Sequence, residues 1–494
     1  MIAELLLRPG TWTALAVFAA AYYHLFLRRR ALPFPLANKS ASELQDPRAL
    51  ITDSLAKNNG GPVLVTLASG GSKVLLPASL AAWVKSNRDL DHHQLVREDF
   101  MAGIPGFEAN TVLHAPGSPL IDIIKTRLGF SDATLRTINA SLERALPNTL
   151  GERTEWHAID WCADTSDMIA RAASSIFVGP EKADDPEWLE LAQRYVAAYF
   201  AAVGELAAYP AWSRRIMHWF LPNAKTCRGL LARARVIMKA VVEAREQEAA
   251  DAKREGRAAP EHNDALEWVR VASGGRLDPA DGQLSLAMAA FFTTAELLRV
   301  VLIEVARHPE YVEELRKEVS TQLFDHGVSV AAVNGMVLLD SFMKESQRLN
   351  SGLVVLERVA LKNTALPDGR VIPRGSHVMV DSTDLWNSDM YPNANEFDGR
   401  RFLKRRKAGD NASQLVQSSP DYHVFGGGRH ICPGRFFAAQ ELKLVLAHVL
   451  VKYHVRLAEG CAPKLVPNGF LVMADPNVRF EVRRRKDGGG DLLF

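Results

Sequence analysis

Cysteine is scarce in this chain of 494 residues, which has four: Cys162, Cys227, Cys432 and Cys461. They are too few and too scattered for a disulfide scaffold. No Cys-x-x-Cys pair occurs, which argues against a structural zinc ribbon. That usage fits a reducing compartment. Charge of one sign is lacking too: the formal net charge is +2, and no basic run is long enough to suggest nucleic acid as a partner. No internal repeat is visible, and no glycine-rich nucleotide-binding fingerprint occurs. What the chain does have is apolar mass. Hydrophobic residues make up 47%, ample for a large core, in a length that suits two or three ordinary domains or one large catalytic unit.

The first thirty residues differ from the rest. Thr11 to Leu27 runs without a charge, is mostly apolar, and is followed at once by Arg28, Arg29 and Arg30. That is the short end of a membrane span. Leu5, Leu6 and Leu7 lengthen it, although Arg8, Pro9 and Gly10 interrupt. The competing reading is a cleaved signal peptide processed near Ala19-Ala20-Ala21. Against it, the apolar run continues through Tyr22, Tyr23 and Phe26, and the basic cluster follows the run instead of preceding it. The positive-inside rule then puts the basic cluster and the body of the protein in the cytosol. The expectation is a single-pass anchor over residues 1–30 and one catalytic domain over 31–494. Leu32-Pro33-Phe34-Pro35 between them reads as a stiff hinge, because proline fixes φ and restricts its predecessor.

Along the body, residues 36–130 mix loops with short β-like runs at Pro62 to Thr66 and Lys73 to Leu76. From about 131 to 350 helical periodicity dominates. Glu246 to Asn263 reads as a solvated helix end and loop, with Asn263-Asp264 offering a cap to the next helix. Gly282 to Arg307 has apolar residues all round its axis, among them Leu284, Phe291, Leu298 and Val305. Such a helix belongs inside a large protein. Pro309 ends it and starts another helix, to about Leu323. Short strands and turns follow residue 352, interrupted by a last helix from Arg435 to about Tyr453. The pattern predicts a mainly α, α+β unit: a helix-rich body with small sheets at both ends.

The run Phe425-Gly426-Gly427-Gly428-Arg429-His430-Ile431-Cys432-Pro433-Gly434-Arg435 carries the strongest chemical signal. A thiolate that ligates a metal in a flat cofactor needs close backbone approach, which glycines on both sides permit. A helix starting near Pro433 aims its amides at the sulfur, which is expected to lower its pKa. Phe425 is placed to shield the sulfur from water. The run resembles the haem-binding loop of the cytochrome P450 superfamily, Phe-x-x-Gly-x-(Arg/His)-x-Cys-x-Gly, at every fixed position. The resemblance implies a haem-thiolate fold with haem b, Cys432 as axial iron ligand and His430 as partner of a haem propionate. Thiolate ligation favours cleavage of the O–O bond.

Other segments agree with it in order. Glu345 and Arg348 form a Glu-x-x-Arg pair on one helix face, and Arg401 in Glu396 to Phe402 is the third member that the family adds. Gly399 stands where proline is usual. Ala289-Ala290-Phe291-Phe292-Thr293-Thr294 resembles the oxygen-binding segment, in which the hydroxyl of Thr293 passes protons, although Phe292 replaces the usual acid. Arg358 falls where a second propionate partner is often found. Ser351 to Val355, Met101 to Ile121 and Asn468 to Ala474 match by position the segments that face substrate. Lys404 to Lys407 is either a solvated basic face or a docking patch for an acidic electron donor. The loop and the Ala-Ala-x-x-Thr-Thr segment look most like fungal members that act on terpenoids and other secondary metabolites.

The resemblance implies a monooxygenase of the endoplasmic reticulum membrane, with a lipophilic substrate. Its electrons would come from NADPH through a separate NADPH-cytochrome reductase. Two alternatives stand beside this: a haem-thiolate isomerase or dehydratase, to which Phe292 lends weight, and a non-catalytic haem-binding sensor or carrier.

Overall fold

The computed structural model describes residues 32–486, apart from 41–42, 44–45, 68–70 and 130, together with Phe494. The expected anchor over residues 1–30 lies outside the described residues. Among those described, one helix is long and apolar enough to cross a membrane, Pro279–Arg307, and 67% of its apolar window is buried inside the protein. It is a core helix.

The helices that position the site are α1 (His92–Asp99), α2 (Asp132–Thr149), α3 (Trp161–Phe177), α4 (Pro186–Ala207), α5 (Pro222–Arg254), α6 (Pro279–Arg307), α7 (Val337–Leu349), α8 (Arg401–Lys407) and α9 (Arg435–Lys452). Side chains fix several of their starts. The Asp91 carboxylate accepts from the Gln94 amide at the head of α1, and Asp278 accepts from Ala280 and Asp281 at the head of α6. That cap starts α6 three residues before the predicted Gly282. Helices α3, α4, α5, α7 and α9 pack around α6, which is why its sequence is apolar on every side. After it, Pro309–Tyr311 forms a 3-10 turn and the predicted second helix runs Val312–His326. Asp264 caps the helix at Ala265, as its sequence suggests.

The largest sheet has the order β1-β2-β5-β4-β3, where β1 is Val63–Thr66, β2 Ser72–Leu76, β3 Leu90–Asp91, β4 Val354–Ala360 and β5 His377–Asp381. β2 and β5 run parallel, and the other neighbours are antiparallel. One face is closed by Phe34, Val74, Leu76, Val84, Leu356, Val378 and Val380. Phe34 of the proline hinge is thus part of a core, which ties the start of the domain to the sheet.

The Glu-x-x-Arg group is buried as expected. Arg348 donates through Nε and Nη2 to the two Glu345 oxygens, both at 2.8 Å, and Arg401 Nε donates to Glu345 Oε1 at 2.9 Å. Arg348 Nη1 also donates to the carbonyl of Ala394 at 2.8 Å. Gly399 has its own reason. A Cβ there would lie 2.8 Å from Phe342 Cδ2 and 2.9 Å from Tyr311 Cε1, both ring atoms. Its amide also donates to the Tyr311 hydroxyl at 3.2 Å, a bond that proline lacks the hydrogen to make.

Candidate active site

Cys432 sits in the loop between a 3-10 turn, Gly428–His430, and the head of α9. Its amide donates to the carbonyl of Phe425 at 2.8 Å, closing the loop. Gly426 and Gly428 have φ of +74° and +64°, conformations that glycine takes without strain. Arg435 Nη1 donates to the Cys432 carbonyl at 2.8 Å and fastens α9 to the loop. The sulfur borders a cavity of about 590 Å3, where Phe425, Gly434, Phe437 and Ala438 also stand. The thiol departs from expectation: burial pushes its pKa up, and the amides of Gly434 and Arg435 with the Arg435 charge only oppose this. The helix end alone therefore does not make a thiolate here, because the sulfur is deeply desolvated.

Another part of the same cavity is cationic and imidazole-rich. Arg358 is buried at 2% exposure and carries no ion pair among the described residues. Its Nη1 donates to the carbonyl of Glu357 at 2.7 Å and its Nη2 to that of Gly427 at 3.4 Å, while Nε has no partner. Burial lowers its pKa to about 10, so it stays charged at neutral pH. His430 lies beside Asp91, with 3.4 Å between Nε2 and Oδ2, and its Nδ1 has no partner among the described residues. His92, His93 and His114 complete this wall, with the His93 ring centroid 5.1 Å from that of His430. The Nδ1 atoms of His93 and His114 are 2.9 Å apart, so one donates to the other. Burial, aided by nearby cations, holds His114 and His430 at about 3, neutral at ordinary pH.

These residues fit the haem that the sequence implies. A buried arginine without a carboxylate is costly, and one beside an unpartnered imidazole nitrogen suits an anionic group such as a propionate. At Gly434 a Cβ would have Ile124 as its nearest neighbour, 3.9 Å away, so the glycine leaves the cavity open beside the sulfur. The structure thus brings Cys432, Phe425, His430, Arg358 and Thr293 to one cavity. His92, His93 and His114 escaped sequence reasoning. Asp91 followed by two histidines was a visible signal, but nothing in the spacing connects it to a cysteine 340 residues later.

Much of the remaining wall is aliphatic: Leu113, Ile121, Leu286, Leu297 and Val355, with Ala289 and Ala290 of α6, beside Lys125 and Gln347. Thr293 Oγ1 donates to the Ala289 carbonyl at 2.8 Å, one turn back. Thr294 also lines the cavity and is buried. Phe292 does not. Its ring meets Phe200 of α4 at 5.7 Å, so the position of the missing acid faces that helix. Of the three segments matched to substrate by position, Met101 to Ile121 and Ser351 to Val355 reach the cavity. Asn468 to Ala474 does not line it: this segment pairs into a hairpin, and its Phe470 carbonyl accepts from the Leu353 amide at 2.8 Å. Of the basic run Lys404 to Lys407, Lys404, Arg406 and Lys407 are exposed and Arg405 is half-buried. Lys404 pairs with Asp398 at 2.8 Å and Arg405 with Asp421 at 3.0 Å.

A second groove of about 680 Å3 runs along α5 and is lined by Glu181, Arg233, Val241, Arg245 and His262. Glu181, His262 and Asp264 approach one another there. Arg245 already bonds both carboxylates, with Nη2 2.7 Å from Asp264 Oδ2, so the group is an ion-pair cluster.

A family model described as Cytochrome P450 matches residues 140–482. The chain is 35% identical over 457 residues to the cytochrome P450 monooxygenase hepE of Aspergillus oryzae, covering 91% of this chain and 83% of that one. It is 31% identical to the cytochrome P450 monooxygenase adrA of Penicillium rubens, covering 98% and 96%. Among solved structures, a retinoic-acid-bound cyanobacterial CYP120A1 aligns with a TM-score of 0.63 at 16% identity, covering 92% of this chain and 100% of that one. A cytochrome P450DA haem domain aligns at 0.64 and 15%, covering 93% and 99%. The two structural likenesses establish the fold.

Proposed function

The chain belongs to the cytochrome P450 family, and we propose that this monooxygenase oxidises a lipophilic substrate, a terpenoid or other fungal secondary metabolite. The observation that carries this reading is one cavity that joins a cysteine sulfur, a buried arginine with no ion pair among the described residues, and an aliphatic stretch of wall beside α6. The aliphatic stretch binds a lipophilic substrate through apolar surface, at about 25 cal/mol per Å2 buried.

Haem, when bound, supplies the activation of dioxygen. Cys432 would hold its iron through Sγ, at a sulfur whose pKa burial raises. Arg358 and His430 would hold its propionates. Phe425, beside the sulfur, keeps water from it. Ala289 and Ala290 leave space on α6, and Thr293 Oγ1 holds a proton donor at the one stretch of that wall with hydroxyl groups among the described residues. Electrons come from NADPH through a separate NADPH-cytochrome reductase. The protein sits in the endoplasmic reticulum membrane by a single N-terminal span, with its catalytic domain in the cytosol.

The purified protein, reduced under carbon monoxide, is expected to absorb at the wavelength typical of thiolate ligation, and Cys432→Ala to lose that band. A histidine-like spectrum in the wild type overturns the ligand assignment. Product formation is expected to require NADPH and the reductase. Turnover without reductase turns the reading to an isomerase or dehydratase.

A further inference from the structure

Strand β4 carries Arg358, and its ladder with β5 is irregular. Val355 pairs with Val380 and Arg358 with Val378, so Leu356 and Glu357 together face one residue, Met379. That is a β-bulge, and an extra residue reverses the facing of every residue after it. In an uninterrupted ladder Glu357 would stand opposite Val378, and Arg358 opposite His377. The two faces are chemically unlike. On the His377 side, Lys73 Nζ bonds Glu357 at 2.6 Å and Asp99 at 2.9 Å, and His377 bonds Glu98 and Asp99. On the Val378 side lies the apolar cluster that leads to the cysteine loop, where Arg358 meets the Gly427 carbonyl. Without the bulge, the arginine would enter a network that already holds Lys73 and His377, and a carboxylate would be turned toward the cavity wall.

The residue at the bulge is the anomaly. Leu356 has φ of +51°, a left-handed conformation that glycine adopts freely and a bulky residue rarely does. Its side chain is buried, and a Cβ on Gly427 would lie 3.5 Å from its Cδ2. Strain of this kind persists only where the surroundings enforce it, and it gathers at functional sites.

We propose that Leu356 is a positioning residue: its left-handed bulge turns the Arg358 guanidinium from the Lys73 network into the cofactor cavity. The inference rests on the reading of Arg358 as a partner of a haem propionate. Transfer of haem from the loaded protein to excess apomyoglobin measures retention without recourse to activity. Leu356→Ile, whose β-branch disfavours positive φ, is expected to lose haem roughly tenfold faster. Leu356→Gly, which removes more side chain but keeps the conformation, is expected to stay within about twofold of wild type. In an Arg358→Ala background, Leu356→Ile is expected to add nothing, because the arginine it positions is gone.

Each other outcome has a meaning. If Arg358→Ala retains haem like the wild type, the propionate reading fails and the inference falls with it. If Arg358→Ala loses haem and Leu356→Ile does not, or the two effects add, the inference alone is overturned. Should Leu356→Ile not fold, Leu356→Gly still decides: rapid haem loss from it means that side-chain packing, not backbone direction, is what Leu356 supplies.

Discussion

Thr293 is a hydroxyl in a wall that is otherwise largely aliphatic, and its hydrogen is committed to the Ala289 carbonyl. A hydroxyl that donates back along its own helix offers its lone pairs outward, so its role in the cavity is to accept and hold a proton donor. General acid–base contributions run to about 10²–10⁴-fold, and Thr293→Ala is expected to cut product formation within that range with haem loading intact. Reductant consumption should continue, with hydrogen peroxide released in place of product, and Thr293→Ser should restore coupling. Unchanged coupling in Thr293→Ala removes the assignment. Phe292 bears on the same question in an unexpected way. Its ring rests on Phe200, so an acid at this position would face α4, and the missing carboxylate says little about the cavity. At the scale of single residues, the legible part of the site was what one loop and one helix state locally: Cys432, Phe425 and Thr293. Arg358 was legible only through the family resemblance. The histidines of α1 were not, because they meet His430 only through the sheet and the Asp91 cap.

An element is as good as what fixes its ends and its neighbours. The group Glu345, Arg348 and Arg401 joins α7 to α8 and to the carbonyls of Ala394 and Pro392 in the segment between them, with both members of the first pair at 0% side-chain exposure. Removing one partner leaves a buried charge alone, at a cost of roughly 3–5 kcal/mol, a large share of an ordinary stability. Glu345→Ala is therefore expected to yield little soluble, haem-loaded protein. Gly399→Ala tests the same junction from its apolar side, since the added Cβ meets the rings of Phe342 and Tyr311. Overpacking of this kind costs about 1–3 kcal/mol, read as a lower melting temperature with the haem spectrum unaltered. A normally stable Glu345→Ala protein contradicts the first expectation, and an unshifted Gly399→Ala melt the second. The elements themselves were largely legible. Apolar residues all round α6, and the cap at Asp264, are local signals that packing merely confirmed. The bulge in β4 was not legible, because Leu356 advertises neither a turn nor a left-handed residue. Its φ is set by the sheet on one side and the cysteine loop on the other.

At the scale of the whole molecule, the proposed membrane attachment can be tested. Residues 1–30 are expected to supply a span, and the body has a second apolar feature. Between α4 and α5, Trp212, Ile216 and Trp219 are each 57% exposed and Phe220 is 75% exposed. Arg214 and Arg215 stand among them, and the Arg228 guanidinium lies 4.5 Å from the Trp219 ring centroid. Aromatic rings interleaved with arginines are the composition of a membrane–water interface, where rings sit at headgroup depth and cations meet anionic lipid. Deleting Met1 to Arg30 is accordingly expected to lower membrane retention without abolishing it. Adding Trp219→Ser and Phe220→Asp to that deletion should release the remainder into the soluble fraction. Orientation needs a separate reporter, and the two Asn-Ala-Ser sequons are not equivalent. Asn139 is buried and its Oδ1 accepts from His448 Nε2 at 2.8 Å, so a glycan there is incompatible with this fold. Asn411, itself exposed, begins a 3-10 turn and is the usable site. In the full chain, Asn411 is expected to remain unmodified. With residues 1–30 replaced by a cleavable signal peptide, the same asparagine should acquire a glycan, which proves it competent. A mobility shift of the full chain on glycosidase treatment, lost in Asn411→Gln, would put the body in the lumen and reverse the orientation drawn from Arg28 to Arg30.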